Sequence, residues 1–207
     1  MNINASTLLL LAMVGLCSAD CSAALTSGES AVLYDSYAAE RKGDLDTALS
    51  RMMILLPAHQ DDYLINYRLG WLFSRGQKYK NAIAHYTRAA QVAPASVEPW
   101  LALSLLHLNL GYHRLALEAS NELLKRDPKN YYGLLRLAAA QQAQKMNEAA
   151  LAATDKGLEL YPMDALFLEK KGYLLKALGR SKESDQTLEQ LLILNPQNAY
   201  AKWALKK

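Results

Sequence analysis

The sequence predicts an all-α fold, a solenoid of about five stacked helix-turn-helix units followed by a C-terminal capping helix. The first observation is a spacing of 34 residues between four of the six prolines, which are Pro94, Pro128, Pro162 and Pro196. A strict period of this length is typical of repeat proteins that are built from short hairpins. The second observation is that Val and Ile are scarce against Leu and Ala, which favours helix over strand.

Small side chains recur at two places within each period and form the third observation. The eight residues stand 24 and 12 residues before each proline of the series, and they are Gly70, Ser104, Ala138, Gly172, Ala82, Ala116, Ala150 and Ser184. Because these side chains are small, two antiparallel helices can approach closely and larger neighbours can interdigitate around them. Proline has no amide hydrogen and cannot extend the second helix, so it ends each repeat. One hairpin cannot bury its apolar faces alone, so we expect stacked copies to share one core.

The repeat boundaries follow from this period. Residues 29–62 form a degenerate first copy, in which Pro57 comes three residues earlier than the period requires. Its second helix should therefore be short. The four regular repeats span residues 63–96, 97–130, 131–164 and 165–198.

Glycines mark the short link between the two helices of a repeat, at Gly76, Gly111 and Gly179. Residues 199–207 are predicted to form the capping helix that closes the stack. In that helix the residues assigned to the core are Ala199, Tyr200 and Trp203, and those assigned to water are Lys202, Lys206 and Lys207.

Residues 1–24 differ from the rest and are predicted to be a signal peptide or a membrane anchor. Residues 7–17 are a continuous apolar run, and the small residues after it suit cleavage behind Ala19, Ala23 or Ala24. No basic residue precedes the run, which is unusual for a signal peptide. The run is about half of the roughly 20 residues that a spanning helix needs, so we favour cleaved export over an anchor. The expected location is periplasmic or otherwise exported, with membrane anchoring left open.

Both cysteines, Cys17 and Cys21, lie in this leader, so no disulfide framework is expected in the mature domain. A lipid-modified cysteine usually follows a small residue. Here Leu16 and Asp20 precede the two cysteines, which disfavours lipidation without excluding it.

The composition argues against several functional classes. The net charge is +3 with acids and bases intermixed, so no basic stripe predicts a nucleic-acid partner. The four histidines have no metal-ligand spacing, and no nucleophile or phosphate-binding loop is recognisable, so no metal, cofactor or catalytic residue is predicted. His107 is interpreted as a packed core residue. The charged run at residues 169–171 is interpreted as a solvated helix face.

The repeats resemble the tetratricopeptide repeat family, which has 34 residues per copy. In residues 63–96 the family pattern is carried by Leu69, Gly70, Phe73, Ala82, Tyr86, Ala89 and Pro94. Residues 97–130 depart from it, since His107 and Ser120 replace the expected aromatic residues. The resemblance implies a right-handed superhelix and a protein-binding scaffold rather than an enzyme.

In that family the first helices of successive repeats line a concave groove, which implies a partner-binding site here. The groove residues assigned on this basis are Tyr37, Leu64, Tyr67, Trp71, Arg75, Leu101, Leu105, Asn109, Tyr132, Leu135, Arg136 and Tyr173. The same family positions also include Ala139, Gln142, Leu166 and Glu169. A family subgroup holds a C-terminal carboxylate with Lys and Asn, but this chain has Tyr67, Trp71 and Ala102 at those positions. Only Arg136 fits, so that clamp is absent.

What remains is a trough rich in leucine and aromatic residues, which suits an amphipathic helix or an apolar peptide of another protein. Whether Tyr67, Trp71 and Tyr132 hold a partner or only pack is left open. Together with the leader, the resemblance implies a non-enzymatic adaptor of the bacterial cell envelope, used in assembly or secretion of an envelope complex. The alternatives are a self-associating structural component of a membrane-bound complex and a membrane-anchored regulator.

Overall fold

The computed structural model describes residues 25–206 of this chain. Over that range the chain forms eleven α-helices and no strand, so the predicted all-α fold is confirmed. The helices are α1 Ser27–Arg41, α2 Leu45–Leu55, α3 Tyr63–Arg75, α4 Tyr79–Val92, α5 Glu98–Asn109, α6 His113–Arg126, α7 Tyr131–Ala143, α8 Asn147–Leu160, α9 Ala165–Ala177, α10 Ser181–Leu194 and α11 Ala199–Ala204.

Consecutive helices pair into five hairpins, and each hairpin packs on the next. The helix pairs fall within the five predicted repeats, except that α1 begins two residues before residue 29. Helices α5 and α7, the first helices of adjacent repeats, are also in contact with each other. The first helices therefore lie next to one another along one side of the stack, as a solenoid of hairpins requires.

The second helix of the degenerate repeat is short, as predicted. Helix α2 has 11 residues, whereas α4, α6, α8 and α10 each have 14. It ends at Leu55, two residues before Pro57. The missing turn leaves a notch of about 380 Å³ against α4, whose walls include Pro57, Ala84 and His85.

The predicted small residues do form the closest contacts inside each hairpin. Ala82, Ala116, Ala138 and Ala150 are fully buried. A Cβ atom added to Gly70 would lie 2.7 Å from the ring of Tyr86 on the partner helix, closer than carbon atoms approach. In the last hairpin Ser184 donates a hydrogen bond from its hydroxyl to the carbonyl oxygen of Gly172, at 2.7 Å.

Helix starts are set largely by the last residue of the preceding repeat. The side chains of Asp62, Asn130, Asp164 and Asn198 each accept a hydrogen bond from a backbone N–H in the first turn of the following helix. Such caps satisfy amide hydrogens that have no partner within the helix. Asp62, which follows Asp61 directly before α3, thus acts as a helix cap.

The fifteenth residue of every repeat has a left-handed backbone conformation. Three of these residues are glycines, Gly43, Gly111 and Gly179, and the other two are Gln77 and Lys145. Gly76, which the sequence marked as the link residue, caps α3 without adopting a positive φ. An L-residue in this conformation costs about 1–2 kcal/mol, so the links at Gln77 and Lys145 are strained relative to the glycine links.

The prediction for the C-terminal cap is partly wrong. Helix α11 has six residues and buries Ala201 and Ala204, whereas Ala199 is exposed and 68% of Trp203 is accessible. Tyr200 packs against the last core cluster, as predicted. The face of α11 that carries Ala201 and Ala204 packs with Leu188 and Leu191 of α10, and Trp203 lies outside this contact, against the ring of Tyr200.

The predicted leader, residues 1–24 with Cys17 and Cys21, lies outside the described residues. Between residues 25 and 206, no helix has both the length and the apolar character needed to cross a membrane.

Replacing Gly70 by Ala should lower the free energy of unfolding by about 1–2 kcal/mol, because the added methyl group overlaps the buried ring of Tyr86. The control is Gly28→Ala, since a Cβ atom at Gly28 in α1 meets nothing within 4 Å. Helix propensity alone favours Ala over Gly by about 1 kcal/mol at either site. Urea unfolding measures both variants, and a Gly70→Ala protein as stable as wild type would contradict the close helix approach.

Candidate partner-binding groove

The first helices of the repeats expose a row of large apolar side chains, which we call the first-helix face. These side chains are 40–56% accessible, and they are Leu64, Trp71, Leu105, Tyr132, Leu166 and Tyr173. Large exposed apolar side chains that are grouped rather than scattered are typical of interaction surfaces.

The C-terminal part of this face contains a cleft of about 540 Å³, formed by α5, α7, α9 and α11. We call it the C-terminal cleft. The groove residues assigned from the sequence that line it are Leu105, Tyr132, Leu135, Arg136 and Tyr173. The related family positions add Ala139, Gln142, Leu166 and Glu169. Lys170 and Tyr200 also line the cleft and were not predicted from the sequence as groove residues.

Aromatic side chains from α7, α9 and α11 line the C-terminal cleft. Tyr132 on α7 is 54% accessible, and its ring packs edge-on against Tyr131 with centroids 5.2 Å apart. Tyr173 on α9 is 44% accessible and lies 5.8 Å from the ring of Tyr200 on α11. Each ring is therefore packed against another tyrosine and is still about half accessible, as an aromatic anchor for a partner requires.

Two half-buried cations also line the C-terminal cleft. Arg136 donates hydrogen bonds to the carbonyl oxygen of Leu101 and to Ser104 Oγ, and its guanidinium lies 5.3 Å from the ring centroid of Tyr132. Lys170 donates a hydrogen bond to Gln142 Oε1, at 2.9 Å. Burial lowers the pKa of both side chains, since the charged form loses solvation.

The interpretation of residues 169–171 as a solvated helix face is wrong. Lys170 is half-buried in the cleft, and Lys171 forms an ion pair with Asp155 of α8, with Nζ and Oδ1 2.7 Å apart. Glu169 accepts a hydrogen bond from Asn198, which precedes α11. The three charges point to three different neighbours, so the run is part of the contact between repeats.

The N-terminal part of the first-helix face is organised around Glu40. Its carboxylate accepts hydrogen bonds from Arg68, from Trp71 Nε1 at 2.6 Å and from Arg75 Nη1 at 3.0 Å. Arg68 is buried and stacks on Tyr37, with its guanidinium carbon 3.9 Å from the ring centroid. The side chains of Glu40, Arg68 and Trp71 therefore join α1 to α3.

Seven of the twelve groove residues assigned from the sequence lie outside the C-terminal cleft, namely Tyr37, Leu64, Tyr67, Trp71, Arg75, Leu101 and Asn109. Tyr37 and Tyr67 are half-buried and pack against the largest core cluster. Tyr67 also stacks on Tyr63 with centroids 5.8 Å apart and contacts the ring of Tyr86. Removing Tyr67 would thus disturb packing, so it is a poorer probe of partner binding than Tyr132 or Tyr173.

His107 is buried, as the sequence analysis expected, and burial lowers its pKa. Among residues 25–206, no three His, Cys, Asp or Glu residues are placed together so that they could hold a metal ion.

These features define a helical repeat solenoid that presents an aromatic and leucine-rich trough. The family model described as tetratricopeptide repeat matches residues 63–96, 97–130 and 167–198. The chain belongs to the tetratricopeptide repeat (TPR) family. Proteins of this family are typically scaffolds that bind other proteins through their repeats.

Two curated relatives share part of the solenoid. Hsp70-Hsp90 organizing protein 2 of Arabidopsis thaliana is 26% identical over 119 residues, which are 58% of this chain and 21% of that protein. Protein O-mannosyl-transferase TMTC1 of Homo sapiens is 26% identical over 137 residues, which are 64% of this chain and 16% of that protein. The chain spans about a fifth or less of the length of these relatives, so the likeness concerns the repeats only.

Solved structures show the same fold at lower sequence identity. MamA 41-end from Desulfovibrio magneticus RS-1 is 15% identical with a TM-score of 0.77, and the match covers 85% of this chain and 99% of that one. YrrB, described as a TPR protein with an unusual peptide-binding site, is 16% identical with a TM-score of 0.77, covering 87% and 94% of the two chains.

Glu40→Gln should lower the free energy of unfolding by about 3 kcal/mol, because it leaves the buried guanidinium of Arg68 without a counter-charge. The matched control is Glu118→Gln. The ion pair of Glu118 with Arg114 is largely exposed, so its loss should cost less than about 0.5 kcal/mol. Equal losses in urea unfolding of the two variants would contradict a structural role for the Glu40 network.

The same variant should also change the acid sensitivity of the protein. Burial raises the pKa of Glu40, but the hydrogen bonds from Trp71 and Arg68 and the charges of Arg68 and Arg75 outweigh it, so the net shift is downward. A lowered folded pKa gives stability above the unfolded value of 4.5 that is lost as the pH falls through the folded value. Wild type should therefore lose more unfolding free energy than Glu40→Gln on acidification below about pH 4.5.

Proposed function

We propose that this protein is a non-enzymatic scaffold of the bacterial cell envelope that binds an apolar or amphipathic segment of a partner protein. The binding site is the C-terminal cleft of the first-helix face. The role is assembly or secretion of an envelope complex, in which the solenoid holds one subunit through that segment.

The observation that carries the proposal is the combination of shape and chemistry in the cleft. A cavity of about 540 Å³ is of the size that holds several side chains of a peptide. Tyr132 and Tyr173 present rigid aromatic faces to it, and Leu105 and Leu166 add exposed apolar surface. An amphipathic helix laid in such a trough buries its apolar side chains against these residues.

One comparison supports peptide binding, since YrrB is described as a TPR protein with an unusual peptide-binding site. The plant relative is named Hsp70-Hsp90 organizing protein 2, which supports a scaffold role more generally. The proposal of a non-enzymatic role rests on this chain's own residues, since the side chains that line the C-terminal cleft include no Ser, Thr, Cys or His.

The envelope location is supported by the leader sequence alone. Its apolar run and the small residues after it are the features that export machinery recognises.

Tyr132→Ala and Tyr173→Ala should each weaken binding of a cleft-directed peptide by about 2 kcal/mol, or ~30-fold, because each removes an aromatic anchor. The peptides come from a displayed library of random sequences about 16 residues long, which as a helix measure ~24 Å. They are selected for binding to the protein that lacks residues 1–24. Affinities of synthetic copies are measured by fluorescence anisotropy.

The matched control for these variants is Tyr34→Ala. Tyr34 lies on α1 and is 71% accessible, so its loss removes an exposed tyrosine far from the C-terminal cleft. Selected peptides that bind all three variants as tightly as wild type would refute the cleft as the binding site. Unchanged urea unfolding of the three variants confirms that any loss of binding is local.

Export predicts a mature protein without its first residues. Intact-mass measurement of the protein purified from its native cells should show an N-terminus after Ala19, Ala23 or Ala24. A mature chain that retains Met1 would contradict cleavage, and recovery of that chain in a soluble cytosolic fraction would refute the envelope location.

A further inference from the structure

In three of the five repeats the sixth residue is a cation, and its side chain contacts the preceding repeat. The sixth residues of the other two repeats are Tyr34 and Ala102. Arg68 bonds to Glu40, and Lys170 bonds to Gln142. In both pairs the acceptor is the twelfth residue of the preceding repeat. Arg136 occupies the same sixth position, but its counterpart at the twelfth position is Leu108, so it bonds to Leu101 and Ser104.

This periodic contact neutralises only one of the three cations. Glu40 supplies a carboxylate to Arg68, with both side chains largely buried. Gln142 and Leu108 supply none, and among residues 25–206 neither Arg136 nor Lys170 has a carboxylate oxygen within 4.0 Å in an ion pair. Both un-neutralised cations line the C-terminal cleft.

The acid that lies nearest does not compensate for both charges. Glu169 also lines the cleft, and its charge raises the pKa of Lys170 against the larger effect of burial. Its carboxylate is engaged by the side-chain amide of Asn198. Two cations therefore face one carboxylate in a cleft whose other lining residues, apart from Gln142, are apolar or aromatic. Half-buried charges without counter-charges cost solvation energy, which an anion from a bound partner would recover.

From this arrangement we infer that the C-terminal cleft selects an acidic amphipathic helix, whose apolar side chains meet Tyr132 and Tyr173 while its Asp or Glu side chains pair with Arg136 and Lys170. The inference rests on the proposed function and adds the chemistry of the partner. Arg136 and Lys170 lie on α7 and α9, the first helices of neighbouring repeats. Two cations on separate helices favour two acidic side chains over a single C-terminal carboxylate.

The peptide selection described above tests this inference directly. Peptides enriched on the wild-type protein should contain Asp or Glu within a leucine- or aromatic-rich stretch. For one such peptide, synthesised with both ends blocked, replacing the acids by Gln or Asn should weaken binding by about tenfold or more. A peptide that loses binding when its C-terminus is amidated, and not when its acids are replaced, would overturn the inference in favour of a terminal carboxylate.

Variants of the protein identify the cations responsible. Lys170→Met keeps the apolar stem of the side chain and should lower the affinity for the acidic peptide by about tenfold. The affinity for the neutral version of that peptide should change by no more than about twofold. Arg136→Gln is the second variant and should behave in the same way. Glu169→Gln should instead raise the affinity for the acidic peptide by about twofold to threefold, because it removes a negative charge from the cleft that repels the acids of the peptide. Urea unfolding checks that each variant is folded.

The outcomes separate the two proposals. Suppose that the selected peptides are neutral or basic, that their binding is lost on Tyr132→Ala and Tyr173→Ala, and that it is unchanged by Lys170→Met and Arg136→Gln. That result would overturn the preference for an acidic helix and leave the proposed function standing. Peptides whose binding is unchanged by the two tyrosine variants would overturn the proposed function and the inference together. Acidic peptides that lose their preference on each cation variant, with a reversed effect of Glu169→Gln, would support the inference.

Discussion

The close approach of the two helices inside each hairpin is the constraint on which the rest of the molecule depends. At the eighth and twentieth positions of a repeat, the side chains are Gly, Ala or Ser, and the larger residues fill the space around them. The Gly70 contact with Tyr86 shows how little room there is at this point. Because every hairpin has the same thickness, successive hairpins stack in the same orientation. The first helices then align on one side, and their outward side chains form a continuous face.

That face has two electrically different halves, and a single position determines the difference. Where the twelfth residue is Glu40, the arginine one repeat later is neutralised within the protein, and Trp71 is drawn into the same network. Where the twelfth residue is Leu108 or Gln142, the later cation has no carboxylate partner among the described residues. At the N-terminal part of the face, the polar side chains thus join α1 to α3. The C-terminal part contains an open cleft with positive charge.

The sequence predicts most of this fold because the information is periodic. Five of the twelve assigned groove residues lie together in the cleft, since their family positions recur with the same 34-residue spacing as the prolines. Lys170 was not predicted as a cleft residue because its charged neighbours in the sequence are typical of a solvated helix face. Its place in the cleft depends on a contact with Gln142 in another repeat, which local sequence does not show. Its shared position with Arg68 and Arg136 was the signal that could have found it. Trp203 was assigned to the core because its spacing suits a helix, but a six-residue helix buries alanines instead.

The truncated second helix at Pro57 has a consequence for motion within the solenoid. The notch beside Pro57, Ala84 and His85 removes packing on the second-helix side of the first hairpin, while the Glu40 contacts remain on the other side. The first hairpin is thus held to the second more closely on the side of Glu40, and it can rotate about those contacts. The first hairpin is therefore the natural place for the stack to fray, and its amide protons should exchange with solvent sooner than those of the interior repeats.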